Sequence, residues 1–167
     1  MRHPLTILLG ITIMASLGRV SASEFTSSVT HGEIRRETVG SGTQEVTGSG
    51  VTDEIVIETD GVQRIHDGGL ASRSTVEQGG AQQVERGGVA VGTIVHAGGV
   101  QTVGAGGVSI GAVIGGGGMQ HIQNHGVAED TEVQTEGLQK IDSGGIARNT
   151  TIRPGGMQRT NQGSVVE

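Results

Sequence analysis

The sequence predicts an all-β chain wound as a parallel β-helix, a solenoid of about six to seven 19-residue coils. Three observations predict it. Glycine recurs at alternating steps of 8 and 11 residues. Between the glycines, the same residue types fall in the same places in every unit. The 167 residues include 32 Gly but one Phe and no Trp, Tyr or Cys, so neither an aromatic-centred core nor a disulfide frame is available. A fixed period of about 20 residues is the signature of a repeat architecture, in which each unit buries its apolar face only by stacking on its neighbours.

The N-terminal element reads as an export signal spanning residues 1–22. Arg2 supplies a positive start, Leu5 to Leu17 is an apolar stretch, and Val20-Ser21-Ala22 offers small residues for cleavage. The apolar stretch is shorter than the roughly 20 residues a membrane span needs. Cleavage after Ala22 would remove Arg2 and Arg19 and take the formal charge from −6 to −8. An acidic chain without a basic stripe argues against nucleic acid as a partner. Residues 23–41 stand off the strict register and form a candidate cap. Residues 42–167 carry the repeats, with the last coil incomplete.

The phased glycines are Gly42, Gly50, Gly61, Gly69, Gly80, Gly88, Gly99, Gly107, Gly118, Gly126, Gly137, Gly145 and Gly156. They read as turns, where glycine tolerates positive φ. In the short half of each unit the second residue after the glycine is Gln: Gln44, Gln63, Gln82, Gln101, Gln120, Gln139 and Gln158. Two residues on stands a β-branched residue, from Val46 to Thr160. In the long half an apolar residue follows the glycine (Val51, Leu70, Val89, Val108, Val127, Ile146), then a small one (Thr52, Ala71, Ala90, Ser109, Ala128, Ala147). A β-branched residue stands seven after the glycine, from Ile57 to Ile152. Nineteen residues are too few for a helical repeat, and no i, i+3, i+4 pattern is present. The unit therefore supplies two or three short strands.

Strands repeated every 19 residues stack about 4.8 Å apart, giving a rod on the order of 30 Å long. Gln and the β-branched residue share one side of a strand. If that side faces inward, the amides form a buried ladder, each donating to one neighbour and accepting from the other. If it faces outward, the apolar residue after each glycine fills the interior instead. Both arrangements make the Gln column structural. The small column fits a corner where the interior narrows.

The stretches "GGVAVGTIVHAGGVQTVGAGG" from Gly87 and "GGIARNTTIRPGGMQRTNQG" from Gly144 resemble the repeat of AIDA-type autotransporter adhesins, the self-associating surface proteins of Gram-negative bacteria. The resemblance covers Gly42 to about Gly163. It implies a right-handed parallel β-helical passenger, exported through the inner membrane and then held at the cell surface or outer membrane, or secreted. A periplasmic location is the expectation without a translocator. It further implies adherence, autoaggregation, biofilm formation and virulence as the functional setting, with the chain itself or host and bacterial surface molecules as partners. O-glycosylation of Ser and Thr is part of the same expectation. The family's membrane barrel has no counterpart up to Glu167, so a truncated remnant without independent activity is the alternative reading. A glycan-binding or glycan-cleaving solenoid is a second one.

Several motifs point to chemistry and are read as something plainer. His121 and His125 lie about 13 Å apart if both are on one strand, too far for one ion, and with His66 and His96 they read as exposed. The run Gly115–Gly118 lacks the Lys-Ser/Thr of a phosphate loop. No Asp column supports a calcium roll. Asp53, Glu54, Glu58 and Asp60, and Glu129, Asp130, Glu132 and Glu136, read as solvated faces, because a glycosidase groove would need sugar-stacking aromatics beside its acids. The broken Thr93, Thr131, Thr150 column gives little support to ice binding. Asn149-Thr150-Thr151 is an N-glycosylation sequon only in a eukaryotic secretory pathway. The reading is a non-enzymatic adhesion and self-association module with no cofactor and no metal, whose contact candidates are Arg73, Glu77, Glu129 and Arg148.

Overall fold

The structure, a computed structural model, describes residues 25–167. The export signal expected over residues 1–22 lies outside the described residues. Every element is a β-strand and every strand pairing is parallel. The chain is a β-solenoid of about seven coils, with three ladders running along it.

The first ladder stacks Gly61–Ile65, Ala81–Val84, Val100–Val103, Met119–Ile122, Leu138–Ile141 and Met157–Thr160. The second stacks Leu70–Ser72, Val89–Val91, Val108–Ile110, Val127–Glu129, Ile146–Arg148 and Val165–Val166. In the second coil one long strand, Gly42–Asp53, serves both ladders. The third ladder runs from Thr38–Val39 through Ile94–Val95 to Thr151–Ile152. Pairing joins each residue to the one 19 positions away, as Val100 with Met119 and Gln101 with Gln120.

Residues 25–41 add one shorter coil to all three ladders. Strand Phe25–Arg35 lies along Gly42–Asp53 with Val29 opposite Val46, and a bulge between Val29 and His31 shifts the register to His31 opposite Ser49. A bulge is how a shorter coil regains alignment with its neighbour.

A regular inner coil turns five side chains inward. In the coil of residues 80–98 these are Gln82, Val84, Ala90, Thr93 and Val95, all buried. The β-branched positions suit a stiff, pleated wall. Burying one such side chain is worth about 1.5–3 kcal/mol, and it recurs coil after coil. The apolar residue just after each glycine, such as Val89 or Val108, faces outward and is half-buried between its stacked neighbours.

The glycines correct the sequence reading. In each pair it is the first glycine that has positive φ, for example Gly87 at 75°. The first place also accepts a side chain: Asp60, His125 and Glu136 sit there with φ of 64°, 62° and 63°. The second glycine, the phased one, is held for another reason. A Cβ on Gly88 would lie 2.1 Å from the carbonyl oxygen of Ile65, in the preceding coil. The two coils approach too closely there for any side chain.

Candidate functional site

The first place to look is the column that recurs most strictly. Gln44, Gln63, Gln82, Gln101, Gln120 and Gln139 are each fully buried, and Gln158 is half-buried. Nε2 of each donates to Oε1 of the preceding one. The distance is 2.8 Å from Gln63 to Gln44, from Gln82 to Gln63, from Gln101 to Gln82, from Gln120 to Gln101 and from Gln139 to Gln120. Gln158 donates to Gln139 at 2.6 Å. At the N-terminal end Gln44 Nε2 donates to Glu37 Oε2 at 2.9 Å. A buried amide without partners would cost several kcal/mol, and stacking removes that cost along the whole column.

A second set of residues completes the ladder. Hydroxyls donate to the Gln oxygens: Ser74 to Gln63, Thr93 to Gln82, Thr131 to Gln120 and Thr150 to Gln139, at 2.9–3.3 Å. These coils have Ala71, Ala90, Ala128 and Ala147 on the second ladder. In the coil where Ala112 takes the hydroxyl's place, Ser109 stands on the second ladder and donates to Gln101 at 3.1 Å. Where Ile55 takes it, Thr52 stands on the second ladder and accepts from Gln63 at 3.1 Å. Each of these coils thus contributes one hydroxyl, from one ladder or the other. The Thr93, Thr131, Thr150 column is an inward-facing part of this network, which removes the surface that ice binding would need. The small residues are not at a corner either; they sit mid-strand and leave room for the amides.

The outer faces carry the charge. At the corner between the second and third ladders stand Arg36, Glu54, Arg73, Gly92, Gly111, Asp130 and Asn149, all with φ between 51° and 66°. Arg73 pairs with Asp53 and lies 3.6 Å from Glu54. Arg148 bridges Glu129 at 3.1 Å and Glu167 at 2.9 Å, and Arg153 reaches Glu132 at 3.0 Å. Arg153, with help from Gln134, holds the Glu132 carboxyl below its usual range. Asp53 departs from the solvated face expected of its cluster: it is buried and also accepts from Ser72 Oγ at 2.6 Å. Sequence reasoning missed this because alternation alone places residue 53 outside. Glu77 faces His96 at 4.0 Å, both exposed.

The histidines are not all free in solvent. His121 Nε2 lies 2.7 Å from Asp142, which also takes Lys140 at 2.9 Å. The Lys140 and His121 contacts lower the Asp142 pKa. His66 lies between Asp67 at 3.0 Å and Glu45 at 2.9 Å, and the Asp67 bond first, then Glu45, raises its pKa. Among the described residues no three His, Cys, Asp or Glu side chains gather to hold a metal ion. No helix of the described residues is long and apolar enough to cross a membrane.

Against known proteins, residues 39–99 match the family model described as adhesin of bacterial autotransporter system, probable stalk. This bears out, on those coils, the resemblance to AIDA-type passenger repeats. No match was found among curated proteins. Among solved structures, the crystal structure of a TibC-catalysed hyper-glycosylated TibA fragment is similar. It has a TM-score of 0.48 and 23% identity, over 85% of this chain and 72% of that one.

Proposed function

We propose that this chain is a rod-forming passenger segment of a secreted or cell-surface adhesin, and that it acts by self-association rather than catalysis. The observation that carries the reading is the adhesin-stalk match over residues 39–99. That segment lies inside an unbroken solenoid whose remaining coils follow the same columns. A rod of this kind presents the same outward positions every 4.8 Å or so. Weak contacts repeated along two rods, or between many rods on two cells, then sum to a strong one. Glu129 and Glu132 on the outer faces are engaged in ion pairs with Arg148 and Arg153, and the buried Asp53 with Arg73, which supports a structural role for these acids. Export, display at the surface, adherence and biofilm formation, and modification of exposed Ser and Thr hydroxyls, all belong to this proposal.

The test is display of the chain on Gram-negative cells through a carrier barrel. Displaying cells are expected to settle from suspension faster than carrier-only cells, and to clump with each other. Cells that carry the chain at their surface, as shown by antibody, yet stay dispersed and non-adherent would overturn the reading. Intact mass of the recovered chain reports any hydroxyl modification.

A further inference from the structure

Most neighbouring coils are clamped to each other from outside as well as from within. Between residues 42–60 and 61–79, Arg73 pairs with Asp53 and His66 with Glu45. Across the next seam Arg64 donates to Gln83 at 2.8 Å. Between residues 118–136 and 137–155, Asp142 takes His121, and Arg148 and Arg153 reach Glu129 and Glu132. The coil of residues 99–117 differs. It has no charged side chain, and among the described residues its side-chain bonds are the inward ones of Gln101 and Ser109.

Three further features single out the C-terminal side of that coil. No cluster of buried apolar side chains spans it: one cluster ends at Ala90, one at Ile114, and the next begins at Ile122. The corner amides after the third ladder are also interrupted. Gly79 N–H donates to Gly98, Gly98 N–H to Gly117 and Glu136 N–H to Gly155, but among the described residues Gly117 N–H does not reach Glu136. Gly116 donates to Thr135 instead, at 3.2 Å, and both Gly116 and Gly117 have positive φ, where the adjacent coils have Gly98 or Glu136 alone. Finally, Gly104 stands in the outward column between Glu85 and Gln123. A Cβ there would meet nothing closer than 3.6 Å, so this glycine answers no need for space and brings only its entropic cost.

We propose that the rod consists of two cooperative blocks, residues 25–117 and 118–167, and that it yields at the seam between them. In a stack of repeats, stability is a sum over the coils and their nearest-neighbour interfaces, so the weakest interface decides where the rod parts. This seam keeps its strand pairings and the bond from Gln120 to Gln101. It lacks an outward clamp, a shared apolar cluster and one corner amide bond. An exposed ion pair contributes little by itself, but here all three losses fall on one interface. A rod under tension, or one met by a protease, opens at this seam and leaves each block folded. A uniform rod behaves in the opposite way, fraying from its ends and holding best in the middle.

Native-state hydrogen exchange of the full chain at increasing urea reads the blocks directly. Amides of residues 25–117 are expected to follow one opening isotherm and those of residues 118–167 another, with the boundary between Ile114 and Gln120. Transplanting a clamp sharpens the test. Val113→Glu with Gln134→Arg copies the Glu132–Arg153 pair one coil towards the N-terminus, across the seam. The two isotherms should then draw together, with exchange in the less stable block slowed about two- to fivefold. Gln134→Arg alone should leave them apart. A single isotherm for the whole wild-type chain overturns the seam, as does protection that rises steadily from both ends to a maximum over residues 99–136. A boundary at another coil, or a double variant that exchanges like Gln134→Arg, overturns it too.

Discussion

Inside the rod the Gln column and the two β-branched columns keep their residue types from coil to coil, whereas outside the same strands change freely. On the first ladder the inward positions read Gln and a β-branched residue in each coil. The outward position beside them reads Arg64, Gln83, Thr102, His121, Lys140 and Arg159. The contrast teaches where the fold is specified. An inward side chain has the preceding and following copies of itself as partners, so a change is felt three times. An outward one has water as an alternative partner and is free to vary, which is where a binding surface can be written.

The sharpest way to break the contrast is at the paired glycines. Gly88→Ala places a methyl 2.1 Å from a backbone carbonyl, and only displacement of a coil relieves it. A loss of about 3 kcal/mol or more is expected. Gly87→Ala meets only atoms at 3.4 Å or beyond and bears the left-handed backbone cost alone, about 1–2 kcal/mol. Urea unfolding of both variants checks the order. Equal losses would mean that turn conformation, and not coil approach, fixes the repeat.

Next in size is Gln101→Leu. It removes the acceptor of Gln120 and of Ser109 and the donor to Gln82. Leaving buried polar groups unpaired costs about 1–3 kcal/mol. Thr102→Ala, on the outward side of the same strand, should cost under about 0.5 kcal/mol. Thermal melts of the two variants that shift together would contradict an inward amide ladder.

A smaller effect tests the hydroxyl exchange. Ser109→Ala takes from Gln101 Oε1 a donor that Ala112 cannot replace, for about 1 kcal/mol. Adding Ala112→Thr restores the arrangement seen at Ala90 with Thr93 and should recover most of the loss. A double variant no more stable than Ser109→Ala alone would show that the two positions act independently.

Much of this was legible in the sequence because repetition averages out local ambiguity. The period, the strand positions and the stacking of equivalent residues follow from columns such as Gln44 to Gln158. The exchange between Ser109 and Ala112, and between Thr52 and Ile55, was equally present in those columns. It went unread because neither column repeats alone; only their sum does, and seeing it requires knowing that both face one amide. The reason for the phased glycines was out of reach for a different cause. Gly87 and Gly88 look alike in sequence, and only the distance between coils separates a need for positive φ from a need for space. Asp53 shows a third limit. Its burial depends on Ser72 and Arg73, one coil later, rather than on its place in the strand.

The ends of the ladder sharpen the comparison most gently, through pH. Every Gln inside the column donates to another amide, but Gln44 donates to the Glu37 carboxyl. Partial burial raises the pKa of Glu37 above its ordinary 4.5, and the bond from Gln44 offsets part of that rise. An acid held above its unfolded value binds its proton more tightly in the folded state. Its contribution is therefore greatest below about pH 4.5 and falls away as pH rises through the folded value. Asp142, held low by Lys140 and His121 on the outer face, has the opposite sign. Its support is present above its unfolded value and is lost as pH falls through the folded one, and salt should weaken it because the cluster lies half-buried on the outer face, within reach of solvent. Glu37→Gln would extend the amide column by one member and remove the proton. The urea midpoint of that variant, relative to the wild type, should rise as pH goes from 4 to 7. A constant difference across that range would mean that Glu37 is solvated in both states, and that the ladder ends at Gln44.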